Sequence, residues 1–82
     1  MKFTQYFLHI RKRRDRVKIT TEWIEETINN PDYIEVQTDG RIRKWKNIIQ
    51  EGKFLRVILL SDGETVHNAF FDRGFARRKN EN

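Results

Sequence analysis

Cysteine is absent from this sequence of 82 residues, and proline and methionine occur once each. Without cysteine there are no disulfides and no thiolate metal sites. A secreted domain of this size would ordinarily need such staples, so the chain reads as cytoplasmic. Long apolar runs are missing as well. The longest, Val57 to Leu60, falls far short of the roughly 20 residues of a membrane span, and the N-terminus has no signal-peptide h-region. Glycine occurs four times, at 40, 52, 63 and 74, spaced as turns and not as a phosphate-binding or dinucleotide-binding loop. Histidine occurs only at 9 and 67, and no cluster of acids stands near either at metal-ligand spacing. No metal and no cofactor are expected.

What is present is charge and aromatic surface. Lys and Arg number 17 against 12 Asp and Glu, a formal charge of +5, and aromatics make up 12% of the chain. That is enough apolar material for one compact core, and too much for a disordered chain. A single domain over 1–75 is expected, with a polar, basic tail at 76–82 that frays.

The charge comes in blocks. Residues 9–18 hold Arg11, Lys12, Arg13, Arg14, Arg16 and Lys18 against Asp15 alone. Residues 22–35 hold five acids and no base, and residues 41–56 turn basic again through Arg41, Arg43, Lys44, Lys46, Lys53 and Arg56. The first and third blocks can build a basic surface, and the second an acidic one elsewhere.

Phe3 to Arg14 fits two elements. Phe3, Tyr6, Phe7 and Ile10 make one helix face with Thr4 as cap, whereas Tyr6, Leu8 and Ile10 fit a strand. The run of good helix formers through Arg14 favours helix. A second helix begins after Thr20, with Ile19 stapling against Ile24 and Trp23, Ile24, Thr27 and Ile28 as its buried stripe. Asn29-Asn30-Pro31 ends it, because proline pushes the preceding residue out of the helical region.

After Pro31, four runs near 33–37, 41–49, 54–60 and 65–72 are separated by Asp39-Gly40, Glu51-Gly52 and Asp62-Gly63. These are hairpin signals, and Phe54 to Leu60 is the central strand. The fold class is therefore α+β: two N-terminal helices packed on a four-stranded antiparallel β-meander. Two-residue turns would set Asn47 against Arg56, Trp45 against Ile58, Ile58 against His67 and Arg56 against Ala69. The packed face then carries Leu55, Val57, Leu59, Val66 and Phe70, together with an unexpected Lys44 and Lys46. The opposite face gathers Arg43, Trp45, Arg56, His67, Ala69 and Phe71. A one-residue slip would flip a strand and scatter this cluster.

A cationic groove with an imidazole and exposed rings suits RNA. Metal-free RNA cleavage needs a base for the 2′-hydroxyl, cations for the phosphorane and an acid for the leaving oxygen. His67, Arg56 and Arg73 are the candidate catalytic residues, with His9 in reserve. Arg13, Arg16, Arg43, Trp45 and Lys46 are the candidate RNA-binding residues. Spacing alone favours a plainer reading of His67, as an ordinary strand residue beside Asn68, with the Arg56 stem packed on Ile58. His9, Arg13 and Arg16 form either a phosphate-binding stripe or a solvated basic face.

His9, Arg13, Arg16, Ile19-Thr20, the short acidic helix and Asn30-Pro31 resemble a small bacterial domain family of unknown function grouped with RelE/BrnT-like toxins. The block Leu55-Arg56-Val57 followed by His67-Asn68-Ala69-Phe70-Phe71-Asp72-Arg73 resembles the closing hairpin of such domains. The resemblance implies helices on one side of an antiparallel sheet and, in the toxins, mRNA cleavage neutralised by an antitoxin. Arg56 and Arg73 match the toxins' basic sheet positions by placement. The function expected is a RelE/BrnT-like toxin or toxin-derived domain that binds RNA, with metal-independent ribonuclease chemistry and an acidic antitoxin as partner. The rivals are a non-catalytic basic module for nucleic acid or an acidic protein, and a structural domain with no dedicated partner.

Overall fold

The structure, a computed structural model, describes residues 1–75; the tail expected over 76–82 lies outside the described residues. The elements are β1 (Lys2–Phe3), α1 (Gln5–Ile10), α2 (Thr21–Asn29), β2 (Tyr33–Val36), β3 (Ile42–Ile48), β4 (Lys53–Leu59) and β5 (Thr65–Phe71). Residues 73–75 add a short helical turn. One five-stranded sheet runs β1-β5-β4-β3-β2. The four later strands form the expected antiparallel meander, and β1 adds a short parallel strand on the outside of β5.

Phe3 thus belongs to a strand, and the first helix is much shorter than Phe3 to Arg14. Its cap is as expected: the Thr4 hydroxyl accepts the Phe7 N–H at 3.1 Å. The helix stops at Ile10 because Arg11 to Arg14 offer no apolar face to bury and repel one another at helical spacing. Those residues instead form turns, closed by Arg13 N–H to Ile10 O and by Arg16 and Val17 N–H to Arg13 O, each at 2.9 Å. The second helix follows its sequence signals. Thr20 accepts the Trp23 N–H at 3.1 Å, and Ile24 and Thr27 are fully buried.

The turns do not take the two-residue form. Among the described residues only Gly40, Gly52 and Gly63 have positive φ (90°, 64° and 71°), so the acids before them are not left-handed and type I′ turns are excluded. Four residues, 49–52, join β3 to β4, and Gly52 N–H closes the turn on Ile48 O at 2.9 Å. Trp45 therefore faces Arg56, and Arg43 faces Ile58. This slip of two residues leaves every side chain of the pair on its expected face.

The β4–β5 pair differs in kind. Ile58 pairs with Asn68 but Leu59 pairs with Val66, so His67 is the extra residue of a β-bulge. Beyond it the alternation reverses. Ala69 and Phe71 face the helices, and Phe70, opposite Arg56, faces away.

The main core lies between the helices and the sheet, with Phe7, Ile10, Ile19 and Ile24 packed on Ile48, Leu55, Val57, Leu59, Val66 and Ala69. Lys44 and Lys46 do lie on that face, and they reach past the core. Their ammonium groups donate to Ile28 O at 2.8 Å and Asn30 O at 2.9 Å, satisfying the negative C-terminal end of α2. The opposite face has its own small cluster. Trp45, only 3% exposed, stacks on Phe75 at 4.6 Å, and Phe54 and Tyr33 close on the same ring. Among the described residues no helix is long and apolar enough to cross a membrane.

Candidate nucleic-acid interface

The expected cluster of Arg43, Trp45, Arg56 and His67 is not assembled, and the bulge is the reason. Arg56 sits opposite Phe70, three residues along β5 from His67, a separation of about 10 Å. The Arg56 guanidinium lies over the Phe70 and Trp45 rings at 5.2 and 5.4 Å and pairs with Asp72 at 3.4 Å. Asp72 also accepts the Trp45 Nε1–H at 3.0 Å and, through its other oxygen, the Phe75 N–H at 3.1 Å. Trp45, expected to be exposed for stacking on a base, is instead buried by this arrangement.

Other candidates are also held within the fold. Arg43 pairs with Glu35 at 3.0 Å, and Lys46 caps α2 with Asp32 3.9 Å away. Arg73 is exposed in the turn after β5, and His9 is exposed in the last turn of α1.

His67 stands in a different company. Its ring stacks on Tyr6 at 5.0 Å and 24°, and its Nδ1 lies 3.2 Å from the Thr4 hydroxyl that caps α1. Burial chiefly, and the Arg41 charge second, push its imidazole below the ordinary 6.5, so the ring is neutral at pH 7. The cation that His67 senses is therefore Arg41, where the sequence arithmetic placed Arg56. Tyr6 is half exposed, at 51%, although helical periodicity put it on the buried face. Nothing in sequence spacing linked Tyr6 or Arg41 to His67, because the bulge that turns His67 towards them has no signature in the residue pattern.

The basic loop is the remaining feature, and here the sequence was informative. Lys12, Arg13, Arg14 and Lys18 are all exposed on turns between α1 and α2. Arg13 meets Asp15 at 4.0 Å, with both side chains largely in water, and Lys18 pairs with Glu51 at 3.2 Å. Arg16 is different: its side chain is 14% exposed, its Nε donates to Ala69 O at 3.1 Å, and its guanidinium lies 5.3 Å from the Phe70 ring centre while pairing with Asp15. Arg16 thus anchors the loop against β5, while the side chains of Lys12, Arg13 and Arg14 stay exposed around it.

Residues 6–67 match the model of a family described as Domain of unknown function (DUF4258), and the chain belongs to that family. No curated protein and no solved structure matches the chain.

Proposed function

We propose that this member of a family without an assigned activity is a RelE/BrnT-like toxin or toxin-derived domain that binds single-stranded RNA through the α1–α2 loop. The observation that carries the reading is the set of exposed cations at Lys12, Arg13, Arg14 and Lys18, held off any helix and met by Asp15 beside Arg13 and Glu51 beside Lys18. Guanidinium and ammonium groups on such a loop meet successive phosphates, and the half-exposed Tyr6 ring, stacked on His67, offers a surface for a base. Binding without cleavage fits better than ribonuclease chemistry, because His67 and Arg56 are about 10 Å apart along the sheet.

The test is fluorescence anisotropy with a labelled single-stranded RNA across a salt series. Each phosphate contact contributes about −0.7 to the log–log slope, so four exposed cations give a slope of roughly −3. The Arg13→Ala/Arg14→Ala double variant should flatten that slope by about 1.4. Affinity indifferent to salt would overturn the proposal, and would direct attention to an acidic protein partner. Cleavage has its own test. Growth arrest and mRNA loss on induction of the wild type, abolished by His67→Ala at matched expression, would replace binding alone with metal-independent catalysis.

A further inference from the structure

We propose that the free edge of β2 pairs with the same edge of a second copy, joining two sheets into one ten-stranded sheet. This inference is independent of RNA binding, which uses the opposite end of the sheet.

All four residues of β2 are exposed, with Ile34 at 59% and Val36 at 68%. Residues 33, 35 and 37 turn their backbone groups towards β3, as the bond from Gln37 N–H to Arg41 O (2.8 Å) shows for that parity. The bond from Asn47 N–H to Asp32 Oδ2, also 2.8 Å, lies on the same seam. By strand alternation, Ile34 and Val36 point their N–H and C=O groups outward. An antiparallel partner is the structure that such an edge accepts.

The occupant follows from what the edge carries. Ile34 and Val36 share the helix-side face with Ile42, and Glu35 lies on the other face beside Arg43. Asp32 and Glu35, the charged side chains at this edge, are acidic and disfavour nucleic acid there. A second copy fits with Ile34 at the centre of the contact. A two-fold axis through Ile34 places Ile34 on its own counterpart with reciprocal N–H···O=C bonds, and sets Glu35 across from the partner's Tyr33. The apolar side chains of both copies then form one continuous strip on the helix side. Shifting by one pairing step would oppose Glu35 to its own counterpart, a like-charge contact that disfavours this alternative. The axis stands perpendicular to the sheet, so inner faces stay inner and the contact closes as a dimer without growing into a fibre.

The experiment is light scattering on the full chain, following mass with concentration. One chain weighs 10.0 kDa, so the dimer should appear at about 20 kDa. Ile34→Lys brings two ammonium groups together at the axis and should yield a monomer with an unchanged circular dichroism spectrum. Val17→Lys, an equally exposed apolar site in the basic loop, should leave the dimer intact. A wild-type mass of one chain at several hundred micromolar overturns the proposal. So does a dimer that survives Ile34→Lys, which would lie at another surface. A well-folded Ile34→Lys monomer beside a wild-type dimer supports it.

Discussion

The two edges of the sheet are finished in opposite ways. On the β5 side, β1 pairs in parallel at Lys2–Thr65 and Phe3–Val66, and Thr4 N–H bonds to Val66 O at 3.0 Å. Further along, Arg16 closes on Ala69 O, and Phe7 packs beneath. On the β2 side the described residues leave the outward backbone groups of Ile34 and Val36 in water. The difference lies in sequence economy: the first 18 residues are aromatic and basic and cover one edge, whereas the other is shortened to four residues after Pro31 and guarded by Glu35 alone. A short edge strand with one charge limits indiscriminate pairing but still permits a specific partner.

Truncation is the strongest way to break this contrast. Phe7→Ala removes a side chain only 2% exposed and should cost about 3–5 kcal/mol, while Ile34→Ala should stay within about 0.5 kcal/mol once dimerisation is excluded by dilution. Equal shifts of the urea midpoint for the two would show that both edges are alike.

Arg16→Ala should rank next, at about 1–3 kcal/mol, because it orphans Ala69 O and uncovers Phe70. Arg13→Ala should scarcely change stability, yet it should weaken RNA binding. Arg16→Lys tests whether charge suffices, since lysine lacks the fork that donates to the strand while lying over the ring.

A smaller effect concerns protons. His67 has its pKa lowered by burial, so the unfolded chain takes up a proton first as pH falls through 6.5. Stability should therefore decline below that pH until the folded imidazole is also charged, and His67→Gln should flatten this part of the curve. Asp62 works in the same direction, in a more acid window. The Thr65 hydroxyl, then the Glu64 and Thr65 N–H groups, hold its carboxyl at about 2 in place of 3.8. Its contribution is full above pH 3.8 and disappears towards pH 2, a loss that Asp62→Ala should abolish in acid denaturation monitored by circular dichroism. Both sites flank the β5 end of the sheet, so neither pH response should alter with Ile34→Lys.

The fold was largely legible because its signals are local. Thr20, the Trp23–Ile28 stripe and Pro31 specify α2 through caps and periodicity, which act within a few residues. The Gly-containing turns announced the meander for the same reason. The α1–α2 loop was legible as charge, although the helix was expected to continue into it. The candidate site was read less well. Trp45 looked exposed between two lysines, but Phe75 covers it from 30 residues away, and Asp72 holds its indole.

Local chemistry in the sequence therefore determined the order of the two N-terminal helices and the four main strands, the central place of β4 and the position of the cationic loop. Tertiary structure alone decided the register. Strand pairing depends on turn geometry and on bulges, and one inserted residue reverses every side chain beyond it. The bulge at His67 is such a residue. It sends Ala69 inward and Phe70 outward, and it leaves His67 beside Tyr6 and under the influence of Arg41, apart from Arg56. The parallel strand β1 was equally hidden, since two residues carry no periodicity and pair only because β5 has already folded to receive them.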